Sequence, residues 1–358
     1  MSQIQVNTMA DSQGGVLAPI SSVMKNRIIN GDCRIDQRNA GAAITNTGSI
    51  TTGFAVDRFS TLGTQDTKLT MQRNAGSVTP PDGFTNYLGI TTTTSYSVTA
   101  SDWFLTQQRI EGLNVADLGW GTANAATVTL SFWVRSSLTG AFGGALQNSG
   151  QSRSYPFTYT ISAANTWEQK SITIAGDTAG TWLTTNGIGI QLRFGLGVGS
   201  TFSGTAGAWA AGDFRSATGA TSVVGTNGAT FYITGVQLEK GTQATSFEYR
   251  QYGQELALCQ RYFWRGTVNA GGVFGGSGGT IPIIGWAFPV TMRAAPTFAW
   301  VSGGQTSNGN NDYTITGLNF STTTTDSARI LFNQSGSTGA NAQGAMTTGA
   351  LSTASAEL

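Results

Sequence analysis

The feature that most constrains the fold is a strict two-residue alternation of large apolar side chains with small or polar ones. It occurs at Tyr155, Phe157, Tyr159 and Ile161, and again at every second residue from 188 to 194. Successive side chains of a β-strand point to opposite faces, so this period predicts strands with one buried face. A helix repeats every 3.6 residues and cannot place such a set on one side. The chain therefore contains at least two amphipathic strands.

Short apolar runs separated by clusters of Gly, Asn, Asp and Ser occupy much of the chain between residues 26 and 245. Evenly spaced short strands with turn residues between them are typical of a β-sandwich or barrel. We predict an all-β fold. The further strands predicted here span residues 56–62, 69–72, 87–91, 128–135, 172–174 and 231–238.

Composition supports this class. The 358 residues include 49 Gly, and only 10% are charged, against about 25% in an average soluble chain. Glycine costs about 1 kcal/mol per site inside a helix, so long helices are disfavoured. Disordered chains combine low hydrophobicity with high net charge, whereas this chain has 39% hydrophobic residues and a net charge of +1. We expect a folded chain.

Charge and hydropathy also exclude classes of partner. The 19 basic and 18 acidic residues are spread along the chain and create no field for nucleic acid or anionic lipid. No apolar run approaches the roughly 20 residues of a membrane span, and the N-terminus lacks a signal-peptide pattern. We expect no nucleic-acid partner, no membrane insertion and assembly in a cytoplasm. Cys33 and Cys259 lie far apart and are expected to be free thiols.

One segment breaks the β pattern and predicts a helix between residues 246 and 265. Its apolar residues repeat at spacings of 3, 4, 3 and 4, as on one side of a helix. They are Tyr249, Tyr252, Leu256, Cys259 and Phe263. This set forms either a seam shared between subunits or a face that packs on a neighbouring sheet.

Two further regions lie on either side of the predicted sandwich and helix. Residues 1–25 are polar at first and are predicted to be an N-terminal attachment arm. Residues 266–358 begin with a glycine-rich loop (271–279) and are predicted to form a smaller C-terminal β domain. Its predicted strands span residues 281–290, 297–301, 313–320, 329–332 and 350–358.

Catalytic chemistry is poorly represented. The chain has no histidine, which removes serine triads and ordinary zinc sites. The sequence Gly275-Gly-Ser277-Gly-Gly279 matches G-x-S-x-G, but a glycine loop produces this match without the strand-turn-helix context or the histidine that a hydrolase requires. Glycan hydrolysis needs only two carboxylates, which keeps a polysaccharide depolymerase as an alternative. The candidate acids are Asp32, Asp36, Asp57, Glu111 and Asp117. Acids on turns more often cap backbone amides, and we predict that the chain is not an enzyme.

Aromatic residues are the stronger candidates for ligand binding, because ligand sites are lined by aromatic rings with a few polar groups. Trp209 and Phe214 lie in a long Gly, Ala, Ser and Thr stretch between residues 196 and 228. They are predicted either to stack on a glycan or to pin this loop to the body of the protein. Trp103, Trp120 and Trp182 are further candidates.

Several segments resemble, in the same order, a family of tailed-bacteriophage tail-fibre and virion structural proteins. The first is Asn-Arg-Ile-Ile-Asn-Gly-Asp-Cys-Arg-Ile-Asp-Gln-Arg-Asn at 26–39, followed by Ala-Val-Asp-Arg-Phe at 55–59. Others are Gln-Arg-Ile-Glu-Gly at 108–112, Val-Thr-Leu-Ser-Phe-Trp-Val-Arg at 128–135, Phe-Tyr-Ile-Thr-Gly-Val-Gln-Leu-Glu at 231–239 and Leu-Ala-Leu-Cys-Gln-Arg-Tyr at 256–262. Residues 288–293 and 356–358 are similar but less specific.

The block at 26–39 also resembles the first strand of galactose-binding-like carbohydrate modules. This resemblance implies a β-sandwich jelly roll over residues 26–245, in which 28–29 pair with the closing strand at 236–238. Such modules often hold a structural calcium ion near the first strand, which nominates Asp32. The alternative is that Asp32 caps the backbone. No other cofactor is implied.

The resemblance implies a homotrimeric fibre of a phage virion, located on the tail, that recognises the host surface through a glycan. Its partners would be further copies of itself and other virion proteins. A virion structural protein without a receptor, such as a head fibre, a cement protein or a tail adaptor, is the alternative.

Overall fold

The structure is a computed structural model that describes residues 24–46, 53–268, 271–272, 280–303, 305–307, 312–334, 345–348 and 350–358, with two short strands at 9–10 and 16–17. The chain divides into two compact units, Met1–Arg250 and Gln251–Leu358. Most of the predicted arm and the G-x-S-x-G match at 275–279 lie outside the described residues. The predicted domain boundaries at 245 and 265 stay predictions.

Unit 1 is built from strands. In chain order they are β1 (Met9–Ala10), β2 (Val16–Leu17), β3 (Ile44–Thr45), β4 (Phe54–Val56), β5 (Phe59–Gly63), β6 (Leu69–Arg73), β7 (Leu88–Thr92), β8 (Trp103–Glu111), β9 (Val128–Ser136), β10 (Gly140–Gln147), β11 (Arg153–Ile161), β12 (Glu168–Ile174), β13 (Ile188–Val198), β14 (Ser203–Gly204), β15 (Ala210–Ala211), β16 (Ser216–Ala217) and β17 (Thr230–Lys240). Single 3-10 turns occur at Ala75–Ser77, Gly112–Asn114, Ala116–Leu118 and Ser200–Phe202.

Two antiparallel sheets dominate unit 1. Sheet I has seven strands in the order β15-β11-β10-β13-β8-β5-β4, and sheet II has six in the order β12-β9-β17-β7-β6-β3. β1 pairs with β2, and β14 pairs with β16 in parallel. The predicted all-β sandwich of jelly-roll type is confirmed.

The core of unit 1 contains the inward faces of both sheets. Leu192 and Phe194 of β13 and Phe231 of β17 are fully buried in it, and the rings of Phe132 and Phe194 lie 5.0 Å apart, edge to face. Each such side chain contributes about 1.5–3 kcal/mol on burial. The alternation that predicted β11 and β13 is thus the pattern of side chains that enter the core.

Some strands differ from prediction. The strand predicted at 56–62 is two strands, β4 and β5, because Asp57 and Arg58 form a turn in which Arg58 has a φ of 73°. β10 was not predicted, because glycine is depleted from strands. Its Gly144 is required by packing, since a Cβ there would lie 2.5 Å from the Phe157 ring.

The segment at 26–31 lies beside β17 as expected, but it is not a strand. The Arg27 amide donates to the Leu238 carbonyl (2.9 Å), and the Val236 amide donates to Gly31 (2.9 Å). Between them, the backbone amide and carbonyl of Ile29 bond to the side-chain amide of Gln108, each at 2.8 Å. The predicted pairing of 28–29 with 236–238 is corrected in this respect: a glutamine side chain takes the place of a neighbouring strand.

Residues 25–28 and 248–250 of unit 1 are joined by a group of hydrogen bonds that we call the clasp. The Glu248 carboxylate accepts from the backbone amides of Lys25 (3.2 Å) and Asn26 (2.8 Å). The Arg250 guanidinium donates to the carbonyls of Ile28 (3.1 Å) and Asn26 and lies 3.0 Å from Glu248. Charge-assisted bonds of this kind are roughly twice as strong as neutral ones.

Unit 2 contains one described helix, α1 (Tyr252–Gln260). Its strands are β18 (Phe263–Val268), β19 (Gly271–Gly272), β20 (Thr280–Ala287), β21 (Thr297–Ser302), β22 (Gln305–Ser307), β23 (Asp312–Thr323), β24 (Ser327–Gln334), β25 (Ala345–Thr348) and β26 (Ala350–Ser355). They form a three-stranded sheet, β18-β26-β21, and a six-stranded sheet, β19-β25-β22-β23-β24-β20. Within the described residues, no helix has the length and hydropathy needed to span a membrane.

Helix α1 is shorter than the helix predicted at 246–265. Residues before 251 cannot be helical, because the Glu248 amide donates to the Gln237 side chain (2.9 Å) and holds the chain against β17. After Gln260 the chain turns and enters β18 at Phe263, which pairs with Ser355. The five residues of the predicted seam therefore do not share one helix, and the continuous helical seam is corrected.

Candidate ligand-binding site

Three tryptophans that are far apart in sequence meet at one side of unit 1. The Trp120 ring centroid lies 4.8 Å from that of Trp182 and 5.3 Å from that of Trp209, and Trp182 and Trp209 are also 5.3 Å apart. All three pairs meet edge to face, the arrangement that the ring quadrupole favours. We call this group the tryptophan cluster.

The loop between β12 and β13 carries Trp182, and backbone bonds fix this loop. The amides of Gly112 and Leu113 donate to the carbonyls of Gly187 (2.8 Å) and Thr185 (2.9 Å). At its other end, the buried Asp177 forms a bidentate pair with Arg153, with N–O distances of 2.7 and 2.8 Å. The loop is therefore held at both ends, and the Trp182 ring has a defined position.

A small open cleft lies against Trp120 and Trp182, which we call the tryptophan cleft. Its volume is about 200 Å³. Trp120 is buried, Trp182 is half-buried and Leu183 is 36% exposed at the rim. The lining residues are Val115, Ala116, Gly119, Trp120, Thr122, Trp182, Leu183, Thr184 and Ile190.

Three polar groups of the cleft wall bond to the protein itself, and a fourth, the Thr184 hydroxyl, lies at the exposed rim. The indole N–H of Trp120 donates to the Ala126 carbonyl (2.8 Å), and that of Trp182 donates to Ala179 (3.1 Å). The Thr122 hydroxyl donates to the Gly119 carbonyl (2.6 Å). The rings therefore offer a ligand apolar surface, and the cleft is suited to an uncharged group with an apolar face.

Trp209, a predicted glycan-stacking residue, holds its loop against the sandwich. Its indole N–H donates to the Ala175 carbonyl (2.7 Å), and its ring packs on Tyr155 (5.3 Å) as well as on the tryptophan cluster. These contacts attach the loop to the sandwich, and glycan stacking by Trp209 stays a prediction. Trp209 forms the back of the cluster and is not among the residues that line the cleft.

Beneath the same loop, the outer face of sheet I carries a buried polar layer. The Arg193 guanidinium donates to Gln107 (3.1 Å), Gln191 (2.9 Å) and Gln147. It also lies 3.5 Å from the Asp213 carboxylate on the loop. Burial lowers the pKa of Arg193 to about 9, yet that value leaves it charged at neutral pH. The polar layer attaches the loop to the sheet.

Asp213 also binds Arg215, whose guanidinium lies 2.6 Å from it and 4.4 Å from the ring centroids of Trp103 and Phe202. Burial pushes the pKa of Asp213 upward, but hydrogen bonds from Arg215 and Gln147 outweigh burial and hold that pKa below its usual value. The face of Trp103, another predicted ligand-binding ring, is therefore occupied by Arg215.

Phe214 is not close to the tryptophan cleft. Its ring packs on the backbone of Gly204 and Gly212, where an added Cβ would lie 2.7 and 3.3 Å from it, and its amide donates to the Ser154 hydroxyl (3.1 Å). Of the predicted ligand-binding residues, the structure brings together Trp120, Trp182 and Trp209. It places Trp103 and Phe214 in the cover of sheet I.

The predicted calcium residue, Asp32, has an arginine beside it. Its carboxylate lies 3.2 Å from Nε of Arg34. Within the described residues, no group of three or more Asp, Glu, Cys or His side chains is arranged to hold a metal ion. Calcium takes six to eight oxygen ligands, and a guanidinium at this distance opposes a cation. The residues around Asp32 do not fit a calcium site.

The predicted seam residues lie in separate surroundings. Tyr249, which is 54% exposed, packs on Phe84 (5.6 Å) and Phe247 (4.9 Å) within unit 1. In unit 2, Tyr252 is 59% exposed, Leu256 is half-buried and Cys259 is buried. Whether any of them contacts another subunit stays a prediction.

Sequence reasoning missed most of the cleft. Val115, Ala116 and Ile190 come from a 3-10 turn region and from the start of β13, and nothing in their spacing links them. One signal was available at Trp182 and Leu183, because two adjacent large apolar residues in a loop otherwise made of Gly, Ala, Thr, Asp and Asn are unusual unless they cover something.

No protein-family model and no curated protein sequence matches the chain. Among solved structures, it is similar to the enzymatically active domain of tailspike protein 4 from bacteriophage CBA120, with 13% identity, a TM-score of 0.32 and coverage of 61% of this chain but only 22% of that one. A putative sugar-binding protein from Bacteroides thetaiotaomicron matches at 11% identity and a TM-score of 0.34, covering 60% of this chain and 100% of that one. The module TmCBM61, solved with β-1,4-galactotriose, matches at 10% identity and a TM-score of 0.27, covering 51% and 88%.

Proposed function

We propose that this chain is a non-enzymatic attachment protein of a phage virion, a homotrimeric fibre that binds a glycan on the host surface through the tryptophan cleft. The cleft is the observation that carries the proposal. It combines an open mouth, two indole rings and a wall fixed by backbone bonds, and apolar pockets with few polar groups are the usual form of a small-molecule site.

Binding would proceed by desolvation of a sugar face against the rings. Trp182 and Leu183 at the rim are already positioned by the bonds that hold residues 177–187, so little conformational entropy is lost when a ligand enters. Thr184, also in the lining, supplies a hydroxyl near the sugar hydroxyls that remain in water.

The surroundings of the acidic residues support a binding role over hydrolysis. The Asp36 carboxylate accepts from the amides of Asn39 (2.8 Å) and Gly41 (2.6 Å), as a turn cap does. Asp57 accepts from the side chains of Gln37 (2.6 Å) and Arg38 (3.0 Å). A glycosidase needs one carboxyl that stays protonated and one that is exposed to substrate, and these two carboxylates are engaged by donors.

The phage assignment rests on the ordered sequence segments between residues 26 and 262. The segment 26–39 has a clear structural use, because its Asn26 and Ile29 attach to the closing strand and to Gln108. We therefore attribute that segment to the architecture of the jelly roll and place recognition on the loops.

The test is a glycan array probed with the full chain, with Trp182→Ala as the binding variant. Trp167→Ala is the matched control, since Trp167 is also half-buried, donates its indole N–H to a carbonyl (Thr79, 2.8 Å) and meets one ring edge to face (Tyr87, 5.5 Å). We expect binding to at least one bacterial surface glycan that is lost in Trp182→Ala and kept in Trp167→Ala. Loss in neither variant, or in both alike, would oppose the cleft as the site.

The second candidate is a virion structural protein without a receptor. The observation in its favour is that Trp103, Trp209 and Phe214 all pack on the chain's own loops and strands. The absence of binding to diverse bacterial surface glycans on the array would favour this structural role. Light scattering on the purified chain tests the trimer in either case, and a stable monomer at micromolar concentration would count against it.

A further inference from the structure

The chemistry of the tryptophan cleft restricts which part of a glycan enters it. We propose that the cleft binds a methyl group carried by a neutral sugar residue, supplied either by C6 of a 6-deoxyhexose or by an N-acetyl group. This inference rests on the proposed function, since it names the ligand class of the same cleft.

The first argument is the state of the hydrogen-bond donors in the wall. The N–H groups of Trp120 and Trp182 point to Ala126 and Ala179, and the Thr122 hydroxyl is engaged by Gly119. A sugar hydroxyl placed against these rings would lose its hydrogen bonds to water and could not accept one from these donors. A buried hydroxyl without a hydrogen bond is unfavourable. A methyl group has no hydrogen bonds to water to lose in the same position, and it gains apolar contact.

The second argument is charge. None of the nine lining residues is ionisable. The ionisable groups in the segments that lead to the cleft are paired: Asp117 lies 2.8 Å from Arg27, and Asp177 lies 2.7 Å from Arg153. A uronic or sialic acid would therefore find no counter-charge in the wall, so the ligand is neutral.

The third argument is size. The cleft has a volume of about 200 Å³, below the roughly 300–1,000 Å³ of sites that enclose a whole small molecule. It accepts one substituent together with part of the ring that carries it. The remainder of the glycan stays at the mouth, where Leu183 and Thr184 are exposed.

The experiment compares sugars that differ only in the proposed group, measured by calorimetry or ligand-observed NMR on the full chain. L-fucose is paired with L-galactose, L-rhamnose with L-mannose, and N-acetylglucosamine with N-formylglucosamine. We expect the methyl-bearing member of at least one pair to bind about tenfold more tightly, which corresponds to about 1.4 kcal/mol. The pair that separates identifies the source of the methyl group.

Two variants connect the preference to the cleft. Ala116→Leu adds apolar bulk at an exposed lining position without touching the core and should abolish the preference, as should Trp182→Ala. Trp167→Ala should keep it. If a hydroxylated or acidic sugar binds best and Ala116→Leu abolishes that binding, the proposed function stands and the methyl inference is overturned. If no sugar on the array or in solution binds, both are overturned.

Discussion

The two sheets of unit 1 are both covered on their outer faces by their own chain, but the two covers rest on opposite chemistry. Over sheet I, the loop at 199–217 is attached through a buried guanidinium, three glutamines and Asp213. Over sheet II, residues 75–79 rest on the rings of Tyr87, Tyr232 and Trp167. One cover is electrostatic and hydrogen-bonded, whereas the other is mainly aromatic.

The difference teaches where each cover is vulnerable. In a buried polar layer, each group depends on its partners, so the loss of one leaves several unsatisfied. In an aromatic cluster, contacts are many and individually small, so single changes cost less. Sheet I therefore carries the cover that responds to charge, and the tryptophan cluster, whose Trp209 lies in the same loop, depends on it.

The largest effect is expected from Arg193→Met, which removes the central cation of the polar layer. The carbonyl oxygens of Gln107, Gln147 and Gln191 lose their buried donor, whereas Asp213 keeps Arg215 and Gln147 as partners. Each buried acceptor left unsatisfied costs about 1–3 kcal/mol, so we expect a total loss of at least about 3 kcal/mol. Urea denaturation measures the free energy of unfolding. Arg135→Met, on the outer face of sheet II, is the control, and a loss below about 1 kcal/mol for Arg193→Met would contradict the dependence described.

Tyr87→Phe tests the aromatic cover at its polar point. The Tyr87 hydroxyl donates to the Ala75 carbonyl and accepts from the Val78 amide at 2.9 Å, while the ring contacts stay in the variant. We expect a loss of about 1–2 kcal/mol, from two backbone groups left without their partner. Denaturation is again the measurement. A loss as large as that of Arg193→Met would remove the distinction between the two covers.

Acid should loosen the cover of sheet I first. The pKa of Asp213 is lowered in the folded chain, so its carboxylate stabilises the fold above its unfolded pKa of about 3.9, and this contribution is lost as pH falls through the folded value. Burial raises the pKa of Tyr87, so its contribution is lost only as pH rises above about 10.

Hydrogen exchange of backbone amides, corrected for intrinsic rates, distinguishes loosening of the cover of sheet I from loosening of the cover of sheet II. Peptides from 199–217 should lose protection as the pH falls below about 4, and peptides from 75–79 should not. Asp213→Asn should exchange at a rate that no longer depends on pH in this range. Equal loss in both segments of the unchanged chain would indicate general acid unfolding.

The smallest effect is expected from Arg135→Met itself. Its guanidinium lies 5.5 Å from the Tyr232 ring centroid and donates to the Asn165 carbonyl (2.9 Å) at the surface. Exposed cation–π contacts contribute about 0.5–1 kcal/mol. The change should lower the denaturation midpoint slightly. A decrease of several kcal/mol in the free energy of unfolding would show that sheet II also relies on charge.

The sequence predicted the strands in which large apolar residues alternate with small or polar ones, although both faces of β13 are buried. β11 and β13 were found because their large residues face the core and their small or polar residues do not. β8 was missed because both of its faces are covered, so Gln107 and Gln108 are as buried as Phe104 and no alternation remains. β10 was missed because it is rich in glycine, of which Gly144 makes room for the Phe157 ring and Gly143 for Ser216 and Ala220.

The site was less predictable for a related reason. Composition and the Gly-rich loop indicated Trp209, and the structure places it behind the cleft, bonded to Ala175. The wall of the cleft depends on which turns meet near the start of β13. The order of the strands in the sheet decides which turns those are. No local pattern encodes the meeting of Ala116 with Leu183, so only the folded chain could show it.

The clasp has a mechanical consequence. Because Lys25 and Arg250 lie at the same place, tension along the chain enters and leaves the jelly roll within a few bonds. The hydrogen bonds of Glu248 and Arg250 would therefore resist the applied force before any strand of either sheet was sheared. The sandwich then lies outside the path of the applied force, so its loops would keep their positions while the chain on both sides is pulled.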